Sequence, residues 1–306
     1  MKVVVLTGGV GGAKFVLGLQ HCAEVAQLTA IVNTGDDFRH LGLHVSPDID
    51  TLLYTLSGQA NAMQGWGREG ESWNFMAALK GLGGPDWFNL GDGDLALHVL
   101  RTERLAQGET LSTLTAGFAQ AWGIAASVLP MSDNAVATWL ETDEGALPFQ
   151  SYFVERQCRP VTRAIRFEGA EEARPAPGVL EALADADAVF IAPSNPWLSV
   201  DPVLAVPSIA AALRAISAPV IAISPLVGGK AVKGPTTKLM AELGIDADNE
   251  AIARHYAGLV SGLLHDSGDT PPTSVPAHST ATLMTSLDDK IRVARGAIAF
   301  AKALKA

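Results

Sequence analysis

TGGVGGAK (7–14) packs four glycines and a lysine directly behind the apolar, mostly β-branched run at 3–6. Bare backbone at Gly8, Gly9, Gly11 and Gly12 lets a phosphate approach main-chain N–H groups, and a helix starting there offers its positive dipole end. Lys14 adds a mobile charge. The motif is not a Walker A loop, since its spacing and the Ser/Thr after the lysine are missing. Nor is it a full dinucleotide fingerprint, because Lys14 stands where the third glycine belongs. Glycines also serve plain strand–helix packing, so the motif alone leaves both readings open.

Acidic residues follow at two nearby turns, Asp36 and Asp37 in NTGDDF (33–38) and Asp48 and Asp50 in SPDIDT (46–51). Each has an ordinary alternative, a solvated turn for the first pair and helix capping for the second. Carboxylates gathered beside a phosphate loop repel one another unless a cation intervenes, and Mg²⁺ fits, taking one or two carboxylates, some waters and substrate phosphate oxygens. Three or four of Asp36, Asp37, Asp48 and Asp50 are therefore candidate metal ligands. Asp50 or Asp37 is also the candidate for taking a proton, with His98 and His44 as further options. PSNP (193–196) and SPLVGGKAVKGP (224–235) bring Ser194, Asn195, Ser224, Gly228, Lys230 and Lys233 as a second set of anion contacts, or as ordinary turns. Together these residues read as a magnesium-assisted reaction on a nucleoside diphosphate derivative.

Such turns need strand ends to carry them. Compact apolar runs at 3–6, 28–32, 186–196 and 218–230 alternate with helical patterns at 201–216, 236–245 and about 286–305. Buried strands alternating with helices predict an α/β fold with a doubly wound, mainly parallel, Rossmann-like sheet. Ligands then sit beyond the carboxyl ends of the strands, where all the motifs above fall. Residues 58–160 differ, carrying five of the six tryptophans, a helical stretch at 109–122 and a hairpin turning near Glu144 and Gly145. They are expected to form a more helical inserted subdomain at the ligand end of the sheet, with 1–57 and 161–306 as the nucleotide-binding core. The stretch 168–178 reads as an exposed loop.

The 306 residues are 48% apolar and 18% charged, which excludes a disordered chain. A net charge of −10 argues against nucleic-acid or membrane partners. Cys22 and Cys158 lack metal spacing and read as reduced thiols. No apolar run reaches the roughly 18 residues of a membrane helix, and the short N-terminal run does not suit a signal peptide, so a cytoplasmic protein is expected.

The motifs GGVGGAK, NTGDD, SPDIDTLLYTLSG, PDWFNLGDGDLALH, LPMSDNAVAT, APSNPWLSVDPVLAVPSI and ISPLVGGKAVKGP, in this order, resemble the 2-phospho-L-lactate transferase family of coenzyme F-420 biosynthesis, from Met1 to about Lys290. The resemblance implies a lactyl-, enolpyruvyl- or glyceryl-diphospho-guanosine donor and 7,8-didemethyl-8-hydroxy-5-deazariboflavin as acceptor, with GMP released. Gly8 to Lys14 would then line the donor diphosphate, and Asp37, Asp48 and Asp50 would be the metal ligands and reactive carboxylates, with Asp36 ranked behind them. Asp92, Asp94 and His98 would receive the deazaflavin, with Trp66, Trp73, Trp87 and Phe88 of the middle segment as the aromatic residues that could stack on its ring. A homodimer is the family expectation. The family usually has arginine within LGDRD, where this chain has Gly93; Arg101 or Arg68 are the available substitutes. The alternatives are an NAD(P)-dependent oxidoreductase, with Asp36 on the ribose, and a non-catalytic nucleotide-binding regulator.

Overall fold

The computed structural model describes residues 1–61, 64–232 and 234–305. β1 (Lys2–Thr7) leads through Gly8 into α1 (Gly9–Gln20), and β2 (Gln27–Val32) follows. A small hairpin, β3 (Phe38–His40) and β4 (Leu43–Val45), precedes α2 (Pro47–Leu56). Three helices come next: α3 (Asn74–Gly81), α4 (Asp92–Ala106) and α5 (Leu111–Ala121). Then come β5 (Ser127–Pro130), β6 (Ala137–Thr142), β7 (Gly145–Pro148), a π-helical turn (Ser151–Glu155) and β8 (Thr162–Glu168). The second half runs α6 (Val179–Ala184), β9 (Ala188–Ile191), a second π-helical turn (Pro196–Val200), α7 (Asp201–Leu204), α8 (Pro207–Ala215) and β10 (Val220–Ile223). It closes with β11 (Leu226–Val227), β12 (Lys230–Ala231), α9 (Thr236–Glu242), α10 (Asn249–His255), β13 (Gly262–Asp266), β14 (Ala277–Thr280) and α11 (Leu287–Lys305).

Seven strands form one sheet in the order β14-β13-β10-β9-β1-β2-β5, and every pairing is parallel. Both faces are covered. Val3, Val5 and Phe190 pack with Phe15 and Leu19 of α1 and Ala294 and Ile298 of α11 on one side. Val4, Leu6 and Ile191 pack with Leu183 of α6, Ile209 of α8 and Ile252 of α10 on the other. Two-sided burial explains why these strands are continuous apolar runs rather than alternating ones. The expected α/β, doubly wound sheet is present. Chain order reverses at β1, with β2 on one side and β9 on the other, so a crevice opens beyond the carboxyl ends of β1 and β9.

Several boundaries differ from the sequence reading. The stretch 201–216 is two helices, because Pro207 has no N–H to donate and disfavours helical geometry at Val206, whose ψ is 108°. The segment 58–160 is not wholly an insertion, since β5 is the edge strand of the main sheet. Its hairpin β6–β7 turns where expected but pairs further with β8, beyond residue 160, in a separate three-stranded antiparallel sheet. The stretch 168–178 is not simply exposed: Ala170, Ala173 and Ala176 are buried in the second core cluster. Both cysteines are free thiols. Among the described residues no single helix is long and apolar enough to cross a membrane.

Candidate functional site

Gly9 has φ 63°, a left-handed value that glycine adopts without strain, and it turns the chain from β1 into α1. Gly11 and Gly12 are required for a different reason. A Cβ on Gly11 would lie 2.8 Å from the Pro193 carbonyl, and one on Gly12 would lie 2.1 Å from Thr7 Oγ1 and 2.7 Å from Ser194 Oγ. The start of α1 is thus wedged against the loop after β9. Ser194 Oγ completes the junction, donating to the Gly8 carbonyl at 2.7 Å. Gly12→Ala is expected to lose about 1–3 kcal/mol of stability, since the atoms it meets belong to short, packed side chains. Chemical denaturation would measure this, and a loss under 0.5 kcal/mol, the roughly neutral range for surface changes, would contradict the wedge.

This junction forms one end of a cavity of about 700 Å³. Of the residues expected to bind the donor, Gly8, Gly9, Gly11, Lys14, Ser194, Asn195 and Ser224 line it. Gly12 lies behind the wall, while Gly228 and Lys230 are exposed on the β11–β12 hairpin and do not line it. Lys233 falls outside the described residues. Lys14 Nζ donates to the Met284 carbonyl at 3.0 Å, which ties α1 to the chain just before α11. Asn195 Oδ1 accepts from the N–H groups of Trp197 and Leu198, capping the second π-helical turn.

The aspartates divide differently from the sequence reading. Asp48 and Asp50 line the cavity; Asp37 does not, and its neighbour Asp36 takes that place. Asp37 Oδ2 instead accepts from Ser46 Oγ at 2.7 Å and lies 3.2 Å from His44 Nε2, which buttresses the β4–α2 junction. Asp48 is locked to the glycine turn: Oδ1 accepts from Gly9 N–H at 2.7 Å and Oδ2 from Asn33 Nδ2 at 3.0 Å. Burial, then repulsion by Asp48, raises Asp36 well above the ordinary carboxylate range. Burial also pushes Asp48 up to about 6, against hydrogen bonds from Asn33 and Gly9 that lower it. The charges acting on this pair are those of other aspartates. Asp36 Oδ1 is buried without a hydrogen-bond partner among the described residues. Two buried, mutually repelling carboxyls with an orphaned oxygen fit a hard cation such as Mg²⁺.

Asp50 has a different partner. Arg101, fully buried on α4, makes a two-pronged ion pair with it, with Nη1 at 3.1 Å from Oδ2 and Nη2 on Oδ1. Burial raises Asp50, with Arg101 and His98 pulling it back, while Arg101 is held the more firmly protonated. Asp94, His98 and Arg101 follow one face of α4, and His98 Nε2 lies 3.2 Å from Asp94 Oδ2. Burial works to raise Asp94, but hydrogen bonds from His98 and Tyr54 outweigh it and hold the carboxyl low. Asp50, Asp94 and His98 offer ligand atoms within 4.8 Å of one another, a second place that could hold a metal. Asp94 and His98, expected at the acceptor, line the cavity next to Asp50.

Two other acceptor candidates are placed elsewhere. Trp87 does not line the cavity; it packs on Phe38, His40 and Phe88. Asp92 accepts from Ser72 Oγ, Asn74 N–H and Phe75 N–H, which makes it a cap for α3. At Gly93, where the family usually has arginine, a Cβ would lie 2.2 Å from Arg68 Nη1. Arg68 therefore packs its guanidinium against the start of α4, beside Glu71 at 3.5 Å, in the space that the glycine leaves. The sequence reading passed over Asn33, Tyr54, Gln150 and the pair Phe149 and Phe153. Of these only Asn33, a polar residue just past a buried strand, carried a local signal.

The chain matches the family described as 2-phospho-L-lactate transferase CofD over residues 3–296. It belongs to that family. Like its relatives it is a phospho-group transferase. It is 41% identical to a phosphoenolpyruvate transferase of Streptomyces griseus, with all of both chains covered. It is 38% identical to one from Mycolicibacterium smegmatis, over 93% of this chain and 94% of the other. In structure it is similar to a crystal structure of a UPF0052 family member from Bacillus halodurans, with a TM-score of 0.65 at 19% identity, covering 97% of this chain and all of that one.

Proposed function

We propose that this enzyme moves a phospho-(small hydroxy acid) group from a guanosine diphosphate-linked donor to 7,8-didemethyl-8-hydroxy-5-deazariboflavin, releasing GMP, in coenzyme F-420 biosynthesis. The name shared by its relatives favours the enolpyruvyl donor over the lactyl and glyceryl ones. The observation that carries the reading is the buried Asp36 and Asp48 pair beside the glycine turn, in a cavity that also holds aromatic walls.

The opening turn of α1 presents N–H groups that lack intrahelical acceptors, which suits diphosphate oxygens. Asp36 and Asp48 would hold Mg²⁺, whose charge would offset that of the diphosphate. The ribityl hydroxyl oxygen bonds to the phosphorus bearing the small acid, the phosphorus–oxygen bond to GMP breaks, and the hydroxyl proton passes to a carboxylate of the cavity. The leaving group is already activated, so placement and charge neutralisation matter more than a strong base.

The test is a mixture of the three donors with deazaflavin and Mg²⁺, read by mass spectrometry. The enolpyruvyl phosphodiester and GMP are the expected products. GDP binding without GMP release would favour the regulator, and NADH binding with no GDP binding the oxidoreductase.

Asp48 also gives a pH signature. Its folded-state pKa is raised above the unfolded value, so its contribution to stability is full below the ordinary carboxylate range and is lost as pH rises through about 6. A cation competes with that proton. The gain in melting temperature from added Mg²⁺ should therefore be larger at pH 7.5 than at pH 5. An equal gain at both would place the cation away from Asp48.

A further inference from the structure

Three large apolar side chains on the cavity wall are left open to solvent: Trp66 is 48% exposed, Phe153 39% and Val232 53%. They come from three separate segments: the chain before α3, the first π-helical turn, and the end of the β11–β12 hairpin. Uncovered aromatic area of this kind costs free energy unless something covers it. Phe153 does not stand alone. It stacks on Phe149, with ring centroids 5.2 Å apart and planes 16° from parallel. Phe149 is buried and lines the same cavity, so the pair forms a wall with one ring behind the other.

That wall is fixed from behind. Tyr152, in the same π-helical turn, is fully buried with Leu140, Leu198 and Leu239. Lys238 Nζ donates to its hydroxyl at 3.3 Å and to the Pro160 carbonyl at 2.8 Å. The wall is also tied to the reacting end. Gln150, between Phe149 and the turn, donates from Nε2 to the Asp36 carbonyl at 3.2 Å. Gln150 thus joins the segment that carries the wall to the Asp36 backbone, and Phe153, Asp36 and Asp48 line one cavity.

We propose that Phe153, backed by Phe149, and Trp66 clamp the planar conjugated ring system of the acceptor, with Val232 on its edge. This rests on the transferase reading for the acceptor's identity, a tricyclic deazaflavin. The chemistry recognised is a flat heteroaromatic surface, for which stacked aromatic side chains are the complement. It moves the ring site from Trp87, which does not line the cavity although its neighbour Phe88 does, to Trp66, one of the aromatic residues expected to stack on the ring, and to Phe153, which the sequence reading did not single out.

The experiment measures steady-state KM for donor and for deazaflavin, and binding of deazaflavin alone by calorimetry, in wild type, Trp66→Ala, Trp66→Phe, Phe153→Leu and Phe153→Tyr. Loss of a stacked ring is expected to raise the acceptor KM and the deazaflavin Kd by about 10–100-fold in Trp66→Ala and Phe153→Leu. The donor KM should stay within about twofold, and Trp66→Phe and Phe153→Tyr should restore most of the acceptor affinity. Phe153→Leu and Trp66→Phe keep an apolar side chain in place, so the question survives if Trp66→Ala does not fold. Acceptor KM and Kd within twofold of wild type in both ring-deleting variants would overturn the clamp. So would equal loss for donor and acceptor. If wild type makes no product yet binds deazaflavin through these residues, the reading of the reaction fails and the clamp stands.

Discussion

With asparagine at position 48, transfer should fall by about 10²–10³-fold, the range for deleting one preorganised charge-stabilising group. The melting temperature at pH 7.5 without Mg²⁺ should be no lower than that of wild type. The two outcomes have one cause. Asp48 is buried among other carboxylates and its pKa is pushed up to about 6, so at neutral pH the ionised form is a burden on the fold. An amide removes that charge and still accepts from Gly9 N–H through its oxygen, which offsets the loss of the bond that Asn33 Nδ2 gives to Oδ2. The pH dependence of the Mg²⁺-induced stabilisation should flatten in the same variant. A large drop in melting temperature accompanying the lost activity would instead make Asp48 a structural cap of the glycine turn.

Arg101→Met should cost about 3–5 kcal/mol, the penalty for stranding one member of a buried ion pair. Arg101 is fully buried, and its guanidinium also reaches the His44 carbonyl at 3.4 Å. Without it, Asp50 remains in the cavity wall with only His98 to oppose its burial. The folded state then favours the protonated acid more strongly, so the penalty should grow from pH 5 to pH 8. Denaturation midpoints at the two pH values measure this. Asp50→Leu combined with Arg101→Met should be closer to wild type in stability than Arg101→Met alone, because no charge is then left unpaired. A penalty under 1 kcal/mol, the roughly typical value for an exposed pair, would mean that water reaches Asp50.

The sheet was legible because strands buried on both faces leave continuous apolar runs, and those runs end at the turns that carry the polar motifs. The glycine turn, Ser194, Asn195 and Ser224 followed from that rule. Asp36 and Asp37 show where legibility stops. Both follow β2, in a turn where Asp37 N–H bonds the Thr34 carbonyl at 3.2 Å, and which of two adjacent carboxylates faces the cavity depends on the rotation of that turn. Sequence periodicity says nothing about it. The partner of Asp50 was closer to hand. Asp94, His98 and Arg101 are spaced at i, i+4 and i+7, so they share a helix face. What the spacing withheld was that α4 lays this face against α2. Trp87 misled for a broader reason: an aromatic residue in an irregular segment packs against whatever neighbours the chain supplies, here Phe38 and Phe88.

Two turns wider than an α-helix, at Ser151–Glu155 and Pro196–Val200, both supply residues to the cavity. A π turn arises when one extra residue is accommodated in a helical turn. Deleting a residue ahead of Phe153 would let the turn relax to α geometry and move Phe153 one position back within it, away from the place it holds on the wall. A single codon lost there would turn Phe153 out of the cavity while leaving Asp36 and Asp48 in place. Substrate choice on the ring side can thus drift by changes in length, independently of the phosphate chemistry.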